Sequence, residues 1–348
     1  MRRQNDAKRK DVQMTHLAHK RFVHETMARI AEAGPAGLHD ALSRAYHPDA
    51  HWRGSHPLNE MTGIAAIAAT VWAPLHEAFP DLERRDLLLL AGHYNGHDLV
   101  GAMGHLCGTH TAPWLGIPAT GRTITLRYGE VHRMERGRIA QSTVLIDVAD
   151  VMRQVGVWPG TPSTGVEMMW QAPITGDGLN LVENDPAVSA ANFAQMRAMQ
   201  TALGDHGDWR VMGRDAFLIP SQTAGWHAKM MWYGPCGIGT ARGIEGFVDD
   251  HRLPWRTAFH NTIGAQHYIR IADGAFSATG GWPSLTTDHL GGGLMGLPPT
   301  GRKITMRVMD FYLHHEGLIR ENWVPIDIID MLRQMDIDVF ARMRALFG

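Results

Sequence analysis

The 348-residue chain is 44% hydrophobic and 20% charged, the make-up of a globular protein long enough for two domains. Its 33 basic and 35 acidic side chains leave a formal charge of −2, which argues against a broad nucleic-acid-binding surface. No run approaches about 18 uninterrupted apolar residues, and the basic start MRRQNDAKRK lacks the apolar stretch of an export signal, so the expectation is a cytoplasmic chain with no membrane segment and a solvated N-terminal end.

Apolar residues at Leu17, Phe22, Val23, Met27 and Ile30 predict a helix over residues 13–32, closed by Gly34-Pro35. Further helices are predicted over 38–45 and 64–79. The period then changes. Residues 87–91, 99–107, 123–133 and 139–146 read as strands, separated by Asn95-Gly96, by a Gly/Pro-rich loop over 113–122 and by Arg136-Gly137. Residues 158–185 carry no sustained period and read as a linker, with Val166, Met168, Met169 and Trp170 expected to pack across a junction. The order then returns, with helices over 187–203 and 243–259 and strands over 267–272, 275–280, 303–314 and 318–326. Helices followed by a meander of strands is the α+β pattern, with helices packed on one face of an antiparallel sheet.

The return is a duplication. Residues 114–157 and 294–337 align without a gap over 44 positions, 16 of them identical, including Gly116/Gly296, Pro118/Pro298, the two Thr-Gly-Arg triplets and Asp147/Asp327. The same offset of 180 pairs His47 with His227, Trp52 with Trp232, Gly54 with Gly234 and Ala78-Phe79 with Ala258-Phe259. So long a period excludes a solenoid and gives each copy its own core: copy one over 1–157, a linker over 158–185 and copy two over 186–348.

Cys107 and Cys236 occupy unrelated places in the two copies, which favours reduced thiols over a disulfide framework. Among 21 histidines, His93, His97, His105 and His110 lie close together, but Gly92, Asn95 and Gly96 turn the chain there, so no metal site is expected. Neither a phosphate-binding glycine motif nor a Gly-x-Ser-x-Gly elbow is present, and the Thr-Gly-Arg pieces read as turns entering strands.

Taken together, Gly108-Thr109-His110-Thr111, the Leu-Gly-Ile-Pro-x-Thr-Gly-Arg run over 115–122, Glu130 ahead of Gly137-Arg138-Ile139, and Asp147 ahead of Met152-Arg153-Gln154 resemble the SnoaL-like polyketide cyclases of the NTF2-like superfamily. Copy two supplies Leu297 to Arg302, Asp310 ahead of Gly317-Leu318-Ile319, Glu321-Asn322-Trp323, and Asp327 ahead of Leu332-Arg333-Gln334. The resemblance implies two tandem cones, each a curved sheet wrapped around helices with a largely apolar pocket, pairing through their sheets as an internal pseudo-dimer that leaves further homo-oligomerisation open. It also implies a reaction without a cofactor, in which a pocket carboxylate moves a proton on an apolar, polyketide-like carbonyl compound. Hydrolysis or dehydration in the same pocket, and binding without turnover, stay open as alternatives.

By position in the motif the acid falls on Asp310, with Glu130 at the matching place in copy one. Strand alternation puts Val308, Asp310 and Tyr312 on one face, where apolar surroundings would raise a carboxyl pKa toward the range useful for proton transfer. His110 and His289, aligned with one gap, are candidate hydrogen-bond donors to a substrate oxygen. Candidate binding residues are Trp232, His227, Tyr312, Trp323, Asn322 and Glu321 in copy two, with Trp52 and His47 in copy one. Asp150 and Asp330 are expected to cap the last helices. Because Glu321-Asn322-Trp323 replaces Gln141-Ser142-Thr143, copy two is the expected site of activity.

Overall fold

The computed structural model describes residues 14–204, 209–216 and 225–347; the basic N-terminal run lies outside them. In the first half, α1 (His16–Glu32) buries the stripe Val23, Met27 and Ile30, and its first turn is closed by the Thr15 hydroxyl, which accepts from the Ala18 N–H at 3.2 Å. It is followed by α2 (Gly34–Ala45), β1 (Tyr46–Gly54), β2 (Asn59–Thr62), α3 (Ile64–Ile67), a π-helical turn (Ala68–Trp72) and α4 (Ala73–Ala78). A meander of β3 (Glu83–Tyr94), β4 (His97–Thr109), β5 (Thr123–Glu135) and β6 (Arg138–Ile146) ends in α5 (Val148–Val155). The sheet order is β2-β1-β6-β5-β4-β3, antiparallel except where β1 runs parallel to β6.

The second half repeats this with α6 (Pro186–Gly204), α7 (Trp209–Met212), β7 (Trp226–Tyr233), β8 (Thr240–Arg242), the helical run Gly243–Phe247, Val248–Arg252 and Leu253–Ala258, and the strands β9 (Phe259–Gly264), β10 (Ile269–Asp273), β11 (Phe276–His289), β12 (Lys303–His315) and β13 (Leu318–Trp323). Its sheet order is β10-β11-β12-β13-β7-β8, with β9 also paired to β11. Short helices Ile328–Gln334 and Val339–Arg344 follow. No helix among the described residues is long and apolar enough to cross a membrane.

The sequence pattern hides β1, β2, β7, β8 and β9. In β1 the polar run around Pro48 looks like a loop, yet Pro48 falls in the register break between Tyr46 and His51, where its missing N–H removes no ladder bond. Gly54 and Gly234 explain why Trp-x-Gly is repeated: a Cβ at either would collide with the indole of Trp52 or Trp232. The helical runs predicted over 64–79 and 243–259 each carry a π turn, at Ala68–Trp72 and Val248–Arg252, just ahead of Pro74 and Pro254, which lack the N–H that regular α pairing would use.

The two sheets face each other. Leu88, Leu90, Leu99, Met103 and Val131 of the first pack with Ile269, Ile271, Phe311, Leu313 and Trp323 of the second. Buried Lys20 reaches Asp273 at 2.7 Å, and Asp273 also accepts from the Ala91 N–H at 3.0 Å. A reciprocal pair of bonds reflects the duplication: the His56 N–H donates to Asp327 and the Cys236 N–H to Asp147, each at 2.9 Å. Those two aspartates, not Asp150 and Asp330, cap α5 and its counterpart Ile328–Gln334, accepting from the Asp150 and Asp330 N–H groups at 3.0 and 3.1 Å. The expectation placed the cap one turn too late, because the cap residue is the one whose backbone has not yet turned helical.

The segment between the halves lies against both. Trp170 is buried with its indole N–H on the Gly234 carbonyl at 3.3 Å, Val166 pairs with Thr240, and Leu179 bridges to Leu89. Cys107 and Cys236 are both free thiols.

Candidate active site

The two cones differ in what stands on the floor. In the first half the strands carry Arg84, Asp86, Glu130 and His132 inward. Arg84 contacts Glu130 at 2.5 Å and Asp86 at 2.7 Å, and His132 Nε2 comes within 2.9 Å of Glu130. The far side of the His132 ring meets Ser142 at 2.7 Å, and Ser142 meets the Tyr46 hydroxyl at 3.1 Å. Burial alone would push the Glu130 carboxyl up, but the Arg84 guanidinium and His132 outweigh it and hold it below the usual range. Trp52, Trp72, Leu75 and Tyr128 close over this cluster, leaving a gap of about 20 Å³, room for roughly one water molecule.

In the second half the corresponding space is a cavity of about 410 Å³. That volume falls in the range of small-molecule pockets, on the order of 300–1,000 Å³. The cross-strand register shows why it opens. Arg84 lies opposite Leu106, and Leu106 opposite Leu126; in the second half Gly264 lies opposite Leu285, and Leu285 opposite Met306. Gly264 therefore stands where Arg84 stood, and a Cβ there would meet open space. At the offset of 180, Val308 replaces Tyr128, Tyr312 replaces His132 and Asn322 replaces Ser142. The cation and the imidazole beside the carboxyl are both gone.

Asp310 is left as the one carboxylate among the described residues lining the cavity. It receives a hydrogen bond from Tyr312, and the Asn322 amide lies 3.5 Å away. Asn322 is itself fixed by donating to the Phe311 carbonyl at 3.1 Å. Burial dominates and raises the Asp310 carboxyl to about 6, against the smaller pull of its two hydrogen bonds. Trp226, Trp232, Phe247, Trp255 and Val324 supply apolar walls, with Trp232 stacked on His251 at 4.0 Å between ring centres. From α6, Gln200 donates to Thr279 at 3.0 Å and bonds Tyr312, tying the helix to the floor.

Of the residues singled out by sequence, Asp310, Tyr312, Asn322 and Trp232 meet in this cavity. Glu321 and Trp323 do not. On β13 they alternate with Asn322 and point to the opposite face, where Glu321 accepts from the Ile174 N–H at 2.8 Å and Trp323 stacks on Tyr233 with its N–H on the Gln171 carbonyl. His110 and His289 are equivalent, each buried and packed on Phe79 or Phe259, with ring centres 4.9 and 5.4 Å apart. Neither lines a cone cavity. His47 donates to the Glu135 carbonyl at 2.8 Å, and His227 accepts from the Lys229 N–H at 2.9 Å, both away from the cavities. Trp52 is a wall of the filled first cone, where Glu130 is an ion-pair partner rather than a carboxyl in apolar surroundings.

The SnoaL-like polyketide cyclase profile matches residues 16–155 and 284–335, more than half of the chain. The chain belongs to the SnoaL-like polyketide cyclase family. Similar solved structures include IdmH from Streptomyces antibioticus, 22% identical, covering 38% of this chain and 97% of its own with a TM-score of 0.32. TsrD from Streptomyces laurentii is 22% identical over 41% of this chain and 98% of its own, TM-score 0.35. An NTF2-like protein from Burkholderia pseudomallei is 16% identical over 41% and 98%, TM-score 0.32. No curated protein matches. Each half of this SnoaL-like chain packs helices on a mainly antiparallel sheet, an α+β architecture, and among the described residues only the second half keeps an open cone.

Sequence reading missed Gln200 and the loss of Arg84 at Gly264. Gln200 sits on a helix of weak amphipathic pattern. The Gly264 substitution is hidden because the long β3 of the first half becomes two strands, β9 and β10, in the second.

Proposed function

We propose that the second half is a cofactor-independent cyclase or isomerase acting on a carbonyl compound, with Asp310 as acid and base. The observation that carries this reading is a carboxyl raised to about 6 in an open cavity from which its counterpart's arginine is missing. Near neutral pH such a group is ionised, and its basicity suits both taking and returning a proton. Asp310 would remove a proton from the carbon next to a carbonyl. The resulting enolate carbon attacks a second carbonyl, forming a carbon–carbon bond while the π bond of that carbonyl opens, and the new alkoxide recovers the proton from Asp310. Reprotonation at another carbon, without ring closure, gives isomerisation instead.

Tyr312 and Asn322 orient the carboxyl. Trp232, Trp226 and Trp255 hold the apolar body of the substrate. The first half serves as a scaffold in an internal pseudo-dimer, its Glu130 committed to Arg84. Incubating wild type and Asp310→Asn with aromatic polyketide-like ketones and esters, followed by mass spectrometry, tests the reading. Conversion by wild type alone supports it, and equal conversion by both proteins rules out Asp310 as the acid/base.

A further inference from the structure

The walls above Asp310 are not uniformly apolar. Among the described residues that line this cavity, Arg197, Arg252, Arg256 and Arg270 face one carboxylate. Arg252 and Arg256 have partners of their own, Arg252 reaching the Leu203 carbonyl at 3.3 Å, and Arg197 and Arg270 stand on the same wall.

Arg270 lies opposite Thr279 on the neighbouring strand, and Thr279 lies opposite Asp310 on the next. The three residues form one row across the cavity face, which sets Arg270 two strand spacings, about 10 Å, from Asp310. In the first half the same row reads Leu89, Ala102, Glu130, so the arginine belongs to the open cone alone. One terminal nitrogen of Arg270 donates to the Tyr94 hydroxyl of the first half at 3.0 Å, which anchors the side chain, while its Nε is buried without a partner. Arg197, on the solvent-facing side of α6, is exposed at the same cavity, and His267 lines it beside them. His267 is lowered to about 4, by burial first and then by Arg270 and Arg197, so these three groups share one neighbourhood. A wall with this much positive charge repels itself until an anion enters.

We propose that the substrate of the second cone is an organic anion, a carboxylate or phosphate-bearing carbonyl compound, whose charged group docks on Arg270 and Arg197. This names the substrate class of the reaction proposed above and rests on that reading only for which end of the molecule reacts. The guanidinium geometry suits either oxyanion, and the row from Arg270 to Asp310 fixes the order: anionic group at Arg270, carbonyl at Asp310.

The test is calorimetric titration of the full chain with 4-acetylbenzoate, its neutral methyl ester and 4-acetylphenyl phosphate, for wild type, Arg197→Gln, Arg270→Gln and Asp310→Asn. At least one anion should bind wild type ten-fold or more tightly than the ester, weaken as salt is raised, and lose most of that preference in each arginine variant. Asp310→Asn should bind the anion as well as or better than wild type. Which anion binds more tightly separates a carboxylate from a phosphate substrate. The proposal is overturned if the ester binds as tightly as both anions, if neither anion binds at millimolar concentration, or if the preference survives in Arg197→Gln, which changes an exposed side chain and leaves the core intact. Anion preference with turnover unaffected by Asp310→Asn would sink the catalytic reading and leave this one standing; the reverse pattern would do the opposite.

Discussion

Glu130 and Asp310 occupy matching positions 180 residues apart, and their surroundings drive their carboxyls in opposite directions. Burial acts on both in the same sense. The outcome differs because Arg84 and His132 sit against Glu130, whereas Gly264 and Tyr312 occupy those places beside Asp310. Duplication has kept the carboxyl twice and its counter-ion once.

Asp310→Asn should lower kcat/KM for any converted substrate by about 10²–10⁴-fold without unfolding the protein. The stability effect has a definite sign. Because the folded carboxyl is raised from 3.8 to about 6, ionising it costs stability as pH rises through that window and changes nothing below it. Urea denaturation should find the variant more stable than wild type at pH 7 and equal to it at pH 3.

Glu130→Gln should do the reverse. It leaves the Arg84 charge balanced by Asp86 but removes a charge-assisted bond, for a loss of about 1.5–3 kcal/mol, with turnover in the second cone retained. A loss of turnover comparable to that of Asp310→Asn would show that the first cone participates.

If Asp310 acts first as a base, kcat/KM should rise with pH through an inflection near 6 and level off above it, since only the ionised carboxyl accepts a proton. A flat profile between pH 5 and 8 would remove Asp310 from the rate-determining proton transfer.

Gly264→Arg restores the missing cation. The backbone at Gly264 lies outside the left-handed region and its Cβ would enter open space, so the fold should tolerate the change. The expected result is loss of ligand binding in the second cone at unchanged melting temperature. Retained affinity would mean that the ligand binds elsewhere.

The reciprocal bonds from His56 to Asp327 and from Cys236 to Asp147 predict that either aspartate is worth far more than a surface carboxylate. Asp327→Ala removes a helix cap, the Arg307 ion pair at 3.0 Å and a bond between the halves, and should cost about 3–5 kcal/mol. Equilibrium denaturation of Asp327→Ala and Asp147→Ala should give similar losses; a change below about 1 kcal/mol would reduce these contacts to surface ion pairs.

The duplication, the α+β order and the place of Asp310 were legible in the sequence because they ride on ungapped identity and on strand alternation. What was not legible depends on pairing between strands. Glu321 and Trp323 looked like companions of Asn322, and alternation on β13 sends them to the face between the sheets. His110 and His289 were rightly matched to each other, but their place beneath Phe79 and Phe259 follows from loop closure that no spacing rule reports. The exchange of Arg84 for Gly264 needed the register of three strands, and it decides which cone is open.

The most direct measurement is a carboxyl ¹³C NMR titration of the full chain from pH 3 to 9, with Asp310 and Glu130 assigned by Asp310→Asn and Glu130→Gln. Asp310 should titrate with a midpoint near 6, with Glu130 still ionised at pH 4.5, its ordinary midpoint. An Asp310 midpoint near 3.8, or a Glu130 midpoint at or above that of Asp310, would contradict the assignment of the working carboxyl to the second half.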